Sequence, residues 1–110
     1  MGNHLNHMHL TTEQLDQIRT YFRSAAPVRR AWLFGSYARG EADEASDVDL
    51  LLDLDYNQYI GSNLFRWPEE LACLLGRKVD VVPEDSLFAR FRPYVDADKR
   101  LIYEKSAARA

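Results

Sequence analysis

The chain has 110 residues, 46% hydrophobic and 28% charged, which is the length of one domain and the composition of an ordinary folded protein. Its single cysteine, Cys73, cannot close an internal disulfide, no uncharged apolar run approaches 18 residues, and the first ten residues lack the basic-then-apolar order of a signal peptide, so the expectation is a cytoplasmic protein rather than a secreted, membrane-spanning or disulfide-stapled one. The net charge of −3 hides an acidic run, Glu41 to Asp55, without Lys or Arg, and no basic stripe with interleaved aromatics is present, which argues against direct nucleic-acid binding.

Residues 1–10 read as a flexible N-terminal tail, in which His4, His7 and His9 lack the fixed geometry of a metal site. Residues 11–105 read as one domain and 106–110 as a C-terminal tail. Thr11 and Gln14 fit a capping box, and Leu10 with Leu15 a hydrophobic staple, so a helix is expected from Thr11 to about Ala25, ended by Pro27. Leu15, Ile18 and Phe22 form its apolar face. Arg30 to Phe34 reads as a short strand, then Gly35-Ser36 opens a brief helical turn closed by Gly40.

Asp47 to Asp55 reads as a second strand, with Val48, Leu50, Leu52 and Leu54 on one face and Asp47, Asp49, Leu51, Asp53 and Asp55 on the other. Asn63 to Leu75 reads as a helix in which Pro68 marks a break or the start of a second piece, and Gly76 is its stop. Cys73, among Leu71, Leu74 and Leu75, reads as a packed thiol. Tyr56, Tyr59, Phe65 and Trp67 fit either core positions or interface anchors. Lys78 to Val82 is a third, β-branched strand, and Ser86 to Asp98 a last helix whose continuity Pro93 interrupts. Leu101 to Tyr103 fits a helix extension or an edge strand equally. The order points to a layered α/β domain, a mixed sheet of three or four strands with packed helices.

The chemistry concentrates in Gly35-Ser36, ten intervening residues, and Asp47-Val48-Asp49. Two carboxylates at i and i+2 leave the same face of a strand about 6.5–7 Å apart. They repel, and burial makes the doubly ionised state worse. A divalent cation removes the conflict, and an all-oxygen donor set favours Mg²⁺, or Mn²⁺, over Zn²⁺. A side-chain-free Gly35 lets backbone approach a phosphate, and Ser36 adds a donor. Arg39 could reach a triphosphate or pair with Glu41 or Asp43. Asp80, centred in its own apolar strand, supplies a third carboxylate if that strand lies beside Asp47–Asp55. Three carboxylates around two metal ions suit in-line nucleotidyl displacement, with Asp80 as second-metal ligand and general base.

FGSYARGEADEASDVDLLLDLD and LLGRKVDVV resemble the signature segments of the nucleotidyltransferase superfamily that includes the DNA polymerase β palm and kanamycin nucleotidyltransferase. At this size the resemblance narrows to the minimal nucleotidyltransferases and spans most of residues 28–103. It implies a polymerase β-like fold, Gly35 and Ser36 as nucleotide-binding residues, and Mg²⁺ at Asp47, Asp49 and Asp80. It further implies an antitoxin, forming a hetero-oligomer with a cognate HEPN-domain RNase toxin, that moves AMP from ATP onto a toxin tyrosine and releases pyrophosphate. The alternatives are an antitoxin of the same fold acting by occlusion, and a small-molecule nucleotidyltransferase. The second domain with which larger relatives hold a small acceptor has no counterpart in these residues, which favours a protein acceptor.

Overall fold

The first helix forms where its caps dictate. The Thr11 hydroxyl accepts a hydrogen bond from the Gln14 backbone N–H, the Gln14 side-chain oxygen accepts one from the Thr11 backbone N–H, and α1 runs Thr12–Arg23. Ile18 and Phe22, one turn apart, are its buried face. This is a computed structural model that describes residues 7–105. Residues 1–6, with His4, and the expected tail 106–110 lie outside the described residues. Within the segment read as an N-terminal tail, Met8 donates to the Ala42 carbonyl at 2.8 Å, and Met8 and Leu10 pack against the core.

Four strands follow, β1 Val28–Phe34, β2 Val48–Leu54, β3 Val79–Pro83 and β4 Arg100–Glu104, in the spatial order β3-β2-β1-β4. The β1–β2 and β1–β4 pairs are antiparallel and β2–β3 is parallel, so the sheet is mixed, as expected. The undecided Leu101–Tyr103 segment is therefore an edge strand. Between β1 and β2 lies a five-residue helix, α2 Gly35–Arg39, closed by Gly40 in the left-handed conformation.

The parallel β2–β3 pair needs a crossover, and α3 Asn63–Leu75 supplies it. This helix is continuous through Pro68, where a break was expected. Pro68 removes one hydrogen-bond donor from the helix ladder, but Trp67, Leu71 and Leu75 are buried on both sides of it and hold one axis. That buried stripe turns Cys73 outward: a residue two positions past Leu71 lies on the far side of a helix, and Cys73 is exposed, not packed.

The last expected helix is shorter than Ser86–Asp98. A 3₁₀ turn, Glu84–Ser86, precedes an irregular stretch, and α4 covers Arg92–Asp98 only. Pro93 stands in the first turn of α4, where its missing N–H costs nothing, so it starts the helix instead of interrupting one. Arg92 ties this start to the turn, donating to the Glu84 carboxylate at 2.8 Å and to the Glu84 carbonyl at 2.6 Å.

One face of the sheet makes the core. Val48, Leu50, Leu52 and Leu54 are buried with Ile18, Phe22, Trp67, Leu71 and Leu75. Trp67 is 1% exposed, so it is not an interface anchor; Tyr59 and Phe65, at 72% and 77%, lie on the surface. The Tyr56 hydroxyl donates to Asp85 at 2.7 Å, which gives that exposed ring a local tie. The other face of β2 carries the carboxylates.

Candidate active site

Register brings the acidic residues together. In the parallel pair Asp49 lies opposite Asp80, and in the antiparallel pair Asp49 lies opposite Phe34, the residue before Gly35. Asp47, two residues before Asp49, lies close enough to Asp80 to raise the proton affinity of its carboxyl. The three carboxylates predicted from spacing thus meet at one end of the sheet, beside the Gly35-Ser36 turn.

Gly35 has φ +74°, a left-handed conformation that favours glycine. A Cβ there would collide with Asp49 Oδ2 and lie 3.2 Å from Asp49 Cγ. The absent side chain is therefore the space that Asp49 occupies. Ser36 follows, its carbonyl accepting from the Glu41 amide at 2.9 Å, which fastens the turn.

The charges are unevenly answered. Asp53, on the same face of β2 farther from Gly35, is held by Arg30 at 2.8 Å, with Arg29 at 3.8 Å. Asp47 has Lys78 at 3.6 Å, a partner that sequence spacing did not reveal because Lys78 reaches it across the β2–β3 pair. Asp49 is left with the charge of Arg39 as its opposing influence. Burial first, then the neighbouring Asp80 and Asp47, push its carboxyl up to about 6. Asp80 is raised too, by burial and then by the neighbouring Asp47, with Lys78 acting the other way.

Arg39 donates to Glu41 at 3.0 Å and to Asp98 at 3.2 Å. The Glu41 pair was one sequence expectation; Asp98, 59 residues away on α4, carried no local signal. Behind Arg39 a cavity of about 460 Å³ separates the sheet from α4, lined by Phe34, Gly35, Val82, Leu87, Phe91, Tyr94 and Val95 and closed by Arg39 and Asp98. Nothing in the sequence pointed to it, since its walls come from four separate elements and the stretch before α4.

Residues 15–103 match the profile of the nucleotidyltransferase domain. The chain belongs to that family. The protein adenylyltransferase MntA of Thermococcus cleftensis is 40% identical over 82 residues, 71% of this chain and 82% of the relative. A solved structure provisionally assigned as a minimal nucleotidyltransferase superposes with a TM-score of 0.68 at 33% identity, covering 86% of this chain and 96% of the other. The fold is shared with one chain of a Shewanella oneidensis complex of a tri-AMPylated HEPN toxin with its MNT antitoxin: TM-score 0.65, 18% identity, 84% of this chain and 71% of that one.

The expected Mg²⁺ fits the donors present. Three oxygen-only side chains, one of them held well above the usual carboxylate range, lie within reach of a single lysine and a shared arginine. Among the described residues no group of three or more acidic, His or Cys side chains is placed to hold a metal ion by itself. An ion that takes one or two carboxylates and completes its shell with phosphate and water needs none.

Proposed function

We propose that this protein transfers AMP from ATP to a tyrosine hydroxyl of a HEPN-domain toxin, silencing it. The observation that carries the reading is the convergence of Asp47, Asp49 and Asp80 on a glycine turn whose missing side chain makes room for Asp49. The 40% identity to a protein adenylyltransferase supports adenylyl transfer to protein. The dependence on ATP argues for a cytoplasmic site of action, and no described helix is long and apolar enough to cross a membrane.

Asp47, Asp49 and Asp80 would hold the metal ions, with Gly35, Ser36 and Arg39 on the triphosphate. Mg²⁺, when bound, supplies positive charge at the phosphates and lowers the proton affinity of the acceptor hydroxyl. The hydroxyl oxygen attacks the α-phosphorus, the bond to pyrophosphate breaks in line, and Asp80 takes the hydroxyl proton. Gly35 and Ser36 position the phosphates for attack, and Arg39 steadies the charge that passes to the leaving pyrophosphate.

ATP labelled at the α-phosphate should label the toxin, and ATP labelled at the γ-phosphate should not. Asp80→Ala should abolish transfer while ATP still binds. If an Asp47→Ala/Asp49→Ala variant still silences the toxin at equal expression, and wild type transfers no label, the protein acts by occlusion and the enzymatic reading is wrong.

A further inference from the structure

We propose that the cavity between the sheet and α4 is the nucleobase site, where the base of the donor nucleotide is held by stacking and apolar area on Phe91 and Tyr94. The proposal rests on the nucleotidyltransferase reading and adds where the base goes and how it is held. At about 460 Å³ the cavity falls within the roughly 300–1,000 Å³ of small-molecule sites. Its position is telling. Gly35 and Arg39, the phosphate side of the site, form part of its wall, whereas Asp47, Asp49 and Asp80 do not line it. A nucleotide with its phosphates at Gly35 can extend its nucleoside into this space.

The walls suit a flat heteroaromatic ring. Val82, Leu87 and Val95 give apolar area, and Phe91 and Tyr94 are exposed rings that a base would cover. Phe91 is braced before any ligand arrives, with Phe88 at 6.4 Å between ring centroids and the Arg90 guanidinium 4.9 Å from its ring centre. The bonds from Arg92 to Glu84 anchor the start of α4 beside it.

Polar side chains on the wall are few. Arg39 and Asp98 bond each other, and the Tyr94 hydroxyl is the third polar side-chain group. Sites that read a polar edge by hydrogen bonds reject the wrong ligand by factors of about 10⁴–10⁵, while sites built on apolar area discriminate weakly. The base should therefore be gripped without being read closely.

Calorimetric titration of the full chain in Mg²⁺ with ATP, GTP and inorganic tripolyphosphate tests this. Wild type should bind ATP at least about ten-fold more tightly than tripolyphosphate, with GTP within about ten-fold of ATP. Phe91→Ala should weaken ATP about five- to thirty-fold, the lower part of the range for a lost base–aromatic stack, and leave tripolyphosphate within about two-fold. Tyr94→Ala should behave alike, and Tyr94→Phe should retain ATP affinity because stacking needs no hydroxyl. Both rings are solvent-exposed, so neither substitution removes a core residue.

Unchanged ATP affinity in Phe91→Ala and Tyr94→Ala overturns the proposal, as does equal loss of ATP and tripolyphosphate. If Phe91→Ala binds ATP normally but fails to modify the toxin, the cavity takes the acceptor and the proposal is wrong. GTP binding more than about a hundred-fold weaker than ATP overturns the claim that area holds the base. Failure of wild type to bind either ATP or tripolyphosphate would instead sink the nucleotidyltransferase reading beneath it.

Discussion

Two glycines with almost the same backbone angle separate strain from collision. Gly76 caps α3 at φ +69°, and a Cβ there would meet nothing within 4 Å. Gly76→Ala should cost about 1–2 kcal/mol, the left-handed penalty of a non-glycine residue, and leave nucleotide binding intact. Gly35→Ala carries the same backbone penalty and also drives its methyl into Asp49. It should cost more than Gly76→Ala in chemical denaturation and abolish transfer, because Asp49 must move. Equal stability losses and retained transfer would show that Gly35 serves the turn alone.

Asp49, half-buried beside two other carboxyls, costs stability once it is charged. A carboxyl near 6 in the folded chain, against about 3.9 unfolded, gives the folded state the greater proton affinity. Its stabilising share is complete below about pH 4 and is lost as pH rises through about 6. Asp49→Asn is neutral throughout, so the metal-free variant should match wild type near pH 4. At pH 7 it should exceed it by about 1–2 kcal/mol, a range reduced from the full linkage value for solvent screening. Denaturant titrations at the two pH values check this. A variant less stable than wild type at pH 7 would mark Asp49 as a structural residue.

At the level of elements, the α3 stripe explains two outcomes that local pattern misjudged. Pro68 sits in a helix that stays continuous because the buried residues around it span both halves. Pro68→Ala should restore one backbone hydrogen bond, partly offset by a more flexible unfolded chain, for a net gain of about 1 kcal/mol in urea melts. The same stripe puts Cys73 outside. In the native protein a maleimide should label Cys73 at a rate close to that of the urea-unfolded chain, and the labelled protein should melt within about 1 °C of the unlabelled one, as surface changes cost little. Protection of Cys73 in the native state would contradict its outward placement.

Across the whole molecule, one sheet separates two tasks. The face packed against α1 and α3 holds the core, and Trp67 is its largest fully buried side chain. Trp67→Ala should cost about 3–5 kcal/mol, a large part of the stability of a domain this size, and thermal melts should show the loss in full. The opposite face holds the carboxylates and, beyond Gly35, the cavity under α4. The antiparallel β1–β2 pair and the parallel β2–β3 pair deliver Gly35, Asp49 and Asp80 to one place from three strand ends.

Much of this was legible before any fold was known. The Thr11–Gln14 cap, the alternation in β2 and the G-S-x10-D-x-D spacing are local patterns, and each is set by forces that act within a few residues of chain. The pairing of Asp47 with Lys78, of Arg39 with Asp98, the outward turn of Cys73 and the burial of Trp67 were not legible. Nor was the cavity. Each depends on which strand or helix lies alongside which, and a residue's own neighbours in sequence do not record that. The α1 cap, the strand alternation and the spacing of the three carboxylates are all written in local sequence. Which of those charges are paired follows from the fold alone, because an ion pair forms between groups that strand register and helix packing bring together.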